Sequence, residues 1–122
     1  MRYIVILLLA GLLGLGCRES RIVAFAPGTY VKVTESGFGK AWDTLRMAPL
    51  GGKSYRVERS IGYQSMLDGQ LLEKKFRRSR WQSELEVERG ELRDKAFGHV
   101  LRLLPDSNGL EMGGMRFYKI NP

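Results

Sequence analysis

Trp81-Gln82-Ser83-Glu84-Leu85-Glu86-Val87-Glu88 decides the fold. Its odd positions carry Trp, Ser, Leu and Val, and its even positions carry Gln and three Glu. This period of two is the mark of a half-buried β-strand. An amphipathic helix is the rival, because Glu is a good helix former. The strand is preferred because the alternation holds for the whole run and a turn, Arg89-Gly90, follows it. Working outward, the same grammar recurs. Ser36-Gly37, Gly51-Gly52, Asp68-Gly69, Asp106-Ser107-Asn108-Gly109 and Gly113-Gly114 are turn signals, since Gly, Asn and Asp tolerate positive φ. Between them lie candidate strands 29–34, 40–48, 54–64, 71–78, 81–88, 91–96, 99–104, 110–112 and 115–120. Sequential strands joined by short turns imply an all-β, antiparallel up-and-down meander over residues 27–122, curled into a small sheet or a lipocalin-like barrel.

The second and third strands suggest a register. A three-residue connection centred on Gly51 sets Met47 opposite Tyr55, Leu45 opposite Val57 and Asp43 opposite Arg59. A slip of one residue would mix the faces. This register puts an opposite-charge pair on the apolar face, and it also sets Arg46 against Arg56. Asp43 and Arg59 are therefore candidate ligand-binding residues inside a barrel. The competing reading is a structural ion pair.

The chain has 122 residues, 20 Lys+Arg against 13 Asp+Glu, a net charge of +7 and one cysteine, Cys17. Arg2 precedes an apolar run, Tyr3 to Gly16, which is shorter than the roughly 20 residues a bilayer span needs. A basic start, an apolar core and small residues before a cut site form a secretory signal. The segment Leu13-Gly14-Leu15-Gly16-Cys17 resembles the lipobox of bacterial lipoproteins, with Gly14 where that family usually has Leu. The resemblance implies cleavage before Cys17 and a lipidated, acylated Cys17. It also implies three parts: a signal peptide at 1–16, a lipidated tether at 17–26 and one domain at 27–122. Each buried CH₂ contributes about 0.8 kcal/mol, so two or three chains would hold permanently. A lone cysteine cannot build a disulfide or a cysteine-ligated metal site. Stability then rests on apolar burial and strand pairing.

The chemistry of catalysis is sparse. His99 is the single histidine, it sits in an apolar strand pattern, and no Gly-x-Ser-x-Gly elbow accompanies it. Glu84 and Glu86 share a strand face but have no cleft. The glycine pairs precede no helix that would cradle phosphate. No enzyme activity, metal or cofactor is expected. The sharpest local feature is Lys74-Lys75-Phe76-Arg77-Arg78-Ser79-Arg80-Trp81. Five cations interleaved with two aromatics suit an anionic partner. Lys74, Lys75, Phe76, Arg77, Arg78, Arg80 and Trp81 are thus candidate partner-binding residues. A charged edge strand that blocks aggregation is the plainer reading.

Pro27-Gly28-Thr29-Tyr30-Val31, Ala41-Trp42-Asp43-Thr44-Leu45, Tyr55-Arg56-Val57-Glu58-Arg59 and Phe117-Tyr118-Lys119-Ile120 together resemble small uncharacterised lipoproteins of Gram-negative bacteria. Some of those are lipocalin-like, and some are associated with conjugative elements. The resemblance implies a fold and an address rather than a reaction. Arg18, which is not the Asp that retains lipoproteins in the inner membrane, implies the outer membrane, with the periplasmic face favoured. Two functions are expected. One is an accessory module docking an acidic envelope protein or anionic lipid through the basic-aromatic strip, which the short tether would hold near the membrane. The other is a small-ligand or lipid binder using the barrel interior. Nucleic acid is not the expected partner.

Overall fold

The computed structural model of the chain describes residues 20–121. The signal segment, Cys17 and the start of the tether lie outside the described residues. The strands are β1 (Gly28–Ser36), β2 (Gly39–Gly51), β3 (Ser54–Leu67), β4 (Gln70–Leu71), β5 (Lys75–Glu86), β6 (Glu91–Arg93), β7 (Val100–Leu104), β8 (Gly109–Met112) and β9 (Met115–Asn121). Apart from β4, a two-residue appendage on β3, each pairs antiparallel with the next, and β9 closes on β1. The result is an eight-stranded, closed, up-and-down barrel of lipocalin-like form, as the turn spacing predicts. Closure removes the edges that an open sheet would expose.

The runs 71–78 and 81–88 are not two strands. They form the single β5, because Ser79 and Arg80 contain no breaker and the ladder with β3 runs unbroken from Lys75 to Glu84. No reversal occurs near residue 80; the chain turns at Asp68 and Gly69, both at positive φ, as their turn signal implies.

The barrel is uneven. β2, β3 and β5 have 13, 14 and 12 residues, whereas β6 and β8 have 3 and 4. β5 pairs with β6 only over Glu84–Glu86, and β1 pairs with β9 only over residues 29–31. One end is therefore a closed ring. At the other end β1, β2, β3 and β5 continue as a curved open sheet. Inward side chains fill the ring: Tyr30, Leu45, Val57, Leu92, Leu101, Leu110 and Phe117 are all fully buried. Gly109 belongs to this wall because a Cβ there would fall 2.2 Å from the Phe117 carbonyl oxygen.

The closed end is plugged by the chain itself. Residues 20–25 form a helical turn. Ile22 and Phe25 pack on the core, and Ala26 is buried within it. The Tyr30 hydroxyl lies 2.7 Å from the Phe25 carbonyl oxygen and 3.0 Å from that of Ala26. Burial, with the neighbouring Tyr55, pushes that phenol's pKa up. The Lys119 ammonium donates to the Phe25 carbonyl at 2.7 Å and sits 4.5 Å from the Phe25 ring centre. Burial pushes the Lys119 pKa down. Residues 20–26, expected to be tether, are thus part of the folded body, because Ile22, Phe25 and Ala26 supply the apolar lid that the ring lacks.

Candidate functional site

Asp43 and Arg59 both face inward at the open end. Arg59 Nε donates to Asp43 Oδ1 at 3.0 Å, and its Nη2 donates to Oδ2 at 2.6 Å. Fork-to-fork geometry of this kind is the strongest form of a charge-assisted pair. The side chains remain only 12% and 20% exposed for Asp43 and Arg59 respectively. The sequence register is two residues off, although the pair it brings together is right. Leu45, not Asp43, lies opposite Arg59, and Asp43 lies opposite Ile61. A bulge between Pro49 and Gly51 and a turn at Gly52-Lys53 set this slide. The slide preserves both faces, and it replaces the expected Arg46–Arg56 repulsion with Arg46 opposite Glu58.

On the neighbouring wall, Trp81 points into the barrel and is only 6% exposed. Its place among candidate surface-docking residues is therefore corrected: alternation along β5 sends it inside with Ser83 and Leu85. The indole stacks on the His99 imidazole, with ring centres 4.1 Å apart and planes 16° apart. His99 Nδ1 lies 3.1 Å from Asp94 Oδ2, and Asp94 Oδ1 accepts the Ala96 amide at 2.8 Å. Burial raises the Asp94 carboxyl pKa, but hydrogen bonds from His99 and the Ala96 and Phe97 amides outweigh it, leaving it below the ordinary value. Asp94 was not singled out in the sequence. Its only signal there is the Asp94-to-His99 bracket around Gly98, closed by the Asp94 amide donating to the His99 carbonyl and the Gly98 amide donating to the Asp94 carbonyl.

Two polar atoms in this region lack any protein partner while buried: Trp81 Nε1 and Ser83 Oγ. Buried polar atoms are normally satisfied, and an indole N–H can only donate. Each is satisfied by a partner outside the chain, an ordered water or a ligand atom. Around the open end, the inner face thus carries Asp43 and Arg59, then Trp81 over Ser83, then His99 and Asp94.

The basic strip is divided by the pleat. Lys75, Arg77, Ser79 and Trp81 belong to the inner face, and Lys74, Phe76, Arg78 and Arg80 to the outer face. All of these except Trp81 are exposed. The strip lies at the end of β5 remote from the helical turn 20–25, so the chain does not hold it beside residue 20. The 12 residues of β5 span on the order of 40 Å along the strand. On its other side, over residues 75–83, β5 has no strand partner among the described residues. Charge on such an edge opposes pairing with other chains.

A scan against protein-family models, a search of curated proteins and a search of solved structures each found no match.

Proposed function

We propose that this chain is a non-enzymatic ligand-binding barrel, anchored in the bacterial envelope through Cys17, that takes a small amphiphilic acid at its open end. The observation that carries the reading is the pair of orphaned polar atoms, Trp81 Nε1 and Ser83 Oγ, set beneath an open mouth. An acid oxygen would accept from the indole N–H, and the Arg59 guanidinium on the adjacent strand would favour its charge. The apolar part of the ligand would lie against Ile61, which faces the same side of the sheet as Arg59. Lys75 and Arg77 on that inner face add positive potential above it. Docking through the whole strip Lys74–Trp81 is the weaker reading, because it needs Trp81 at the surface.

The chain has two tryptophans, Trp42 outside the barrel and Trp81 inside it, so Trp42→Phe leaves one interior fluorophore. Energy transfer from Trp81 to a dansyl-labelled undecanoic acid should saturate. Arg59→Met should weaken that binding by about tenfold, the equivalent of one lost charge-assisted hydrogen bond. Transfer that never saturates, or that Arg59→Met leaves unchanged, would refute the reading.

A further inference from the structure

The outer faces of β2, β3 and β5 hold a feature that the mouth does not explain. Two adjoining concavities, about 560 and 260 Å³ in volume, share Thr44 and Ser60. The larger is lined by the outer-face residues Arg46, Arg78 and Arg80 with Thr44 and Ser60 between them, and Arg59 and Ser79 also border it. Its one acid, Glu58, is already engaged by Arg56 at 3.3 Å and by Arg80 at 3.9 Å. The smaller has an aromatic floor. Gly62 lies between Trp42 and Phe76 in the register, and a Cβ there would come 3.0 Å from Phe76 Cε1 and 3.6 Å from Trp42 Cε3. The glycine is what allows both rings to lie down against the sheet. Lys40 and Lys74 place their ammonium groups 5.3 and 4.8 Å from the Trp42 ring centre.

We propose that this outer trough binds an organic phosphate, its phosphate among Arg46, Arg78 and Arg80 and its apolar or planar body on the Trp42–Phe76 floor. The chemistry is specific. Planar guanidinium forks match the oxygens of a tetrahedral oxyanion two at a time, and neighbouring hydroxyls donate to the remaining ones. Arg78 and Arg80 stand two residues apart on one strand face, about 7 Å, so both reach one phosphate from the same side. Lys74 lines the aromatic half and holds its charge over the Trp42 ring. A bare polyanion would use the arginines alone and leave the floor empty. A purely apolar ligand would gain nothing from them. Each volume falls within or near the range of small-ligand sites, roughly 300–1,000 Å³. The site opens on the outer face of the same three strands, opposite the mouth, although Arg59 and Ser79 also border it.

The test uses Trp42 as reporter in a Trp81→Phe variant, with calorimetry on the unaltered chain in case that core change loosens the barrel. The probes are phenyl phosphate, dodecyl phosphate and inorganic phosphate at fixed ionic strength. Saturable binding of either organic phosphate at least about tenfold tighter than inorganic phosphate supports the site. The tighter of the two identifies an aromatic or an alkyl body. Arg78→Gln/Arg80→Gln should then cost about tenfold or more. Equal affinity for inorganic phosphate would overturn the proposal as stated. So would indifference to the double glutamine variant, or no saturable binding of any probe.

Discussion

The Asp43–Arg59 pair gives the sharpest stability prediction, because its two partners do not fail alike. Arg59→Met strands the Asp43 carboxylate, on a residue only 9% exposed in the parent and with a stem too short to reach bulk water. Removing one member of a fully buried pair costs about 3–5 kcal/mol. Here water reaches the pair through the open end, so screening reduces the expected cost to about 2–3 kcal/mol. Asp43→Ala strands a guanidinium instead, and the long Arg59 side chain can swing into the mouth and hydrate. Its cost should be about 1–2 kcal/mol. The double variant Asp43→Ala/Arg59→Met leaves no stranded charge and should resemble Asp43→Ala alone. The coupling is then about 2 kcal/mol, well above the few tenths expected of independent sites. Urea unfolding with an unchanged m-value measures each term. For a domain of this size, Arg59→Met should lower Tm by about 10–20 °C. If Arg59→Met costs less than about 0.5 kcal/mol, or if the two substitutions simply add, the pair does not seal the core as argued.

Gly109→Ala should cost about 2 kcal/mol or more by urea unfolding, because the added methyl meets a carbonyl oxygen 2.2 Å away, and the main chain must move. Asp94 has a folded pKa below its unfolded one, so its contribution is complete above about pH 4 and fades as pH falls through the folded value. The stability gap between the parent and Asp94→Asn should therefore narrow on acidification, and a gap that widens below pH 4 would contradict the hydrogen-bond scheme. Lys119→Met removes the ammonium that holds the Phe25 carbonyl, so limited proteolysis should nick residues 20–26 first. Cys17→Ser should abolish partition of the expressed protein into a detergent phase and remove an acyl mass increment from its N-terminus.

How much of this was legible depends on the range of each signal. Alternation along Trp81–Glu88 is a local pattern, and it identified the strand and its faces correctly. The antiparallel meander followed from turn spacing, since Asp68-Gly69, Gly51-Gly52 and Gly113-Gly114 all reverse the chain where expected, whereas closure of β9 on β1 is seen only in the fold. The two-residue slide between β2 and β3 was not legible. It depends on a bulge after Pro49, which keeps the parity of the faces and so leaves the hydrophobic pattern silent. Charge could have found it, because only the observed register sets Arg46 against Glu58. Trp81 was misplaced for a related reason. As one letter in a basic run it looks like part of a surface, whereas its place in the alternation with Ser83 and Leu85 sends it inside. Gly62 carries no sequence signal of its own, since its role arises only when β2, β3 and β5 meet.

The position of the plug constrains how an anchored barrel would work. Two residues, Arg18 and Glu19, separate Cys17 from the helical turn that begins at residue 20, and three residue steps reach at most about 10 Å. With Cys17 lipidated, the plugged end therefore faces the membrane. The open end and the outer arginines then point away from it, opposite to the expectation of a strip held against the lipid. A ligand extracted from the anchoring membrane would have to travel the length of the barrel to reach the mouth. A ligand arriving from the aqueous side meets Lys75, Arg77, Arg78 and Arg80 first. The same cations that keep the unpaired edge of β5 from pairing with other chains thereby also raise the local concentration of anions at both sites.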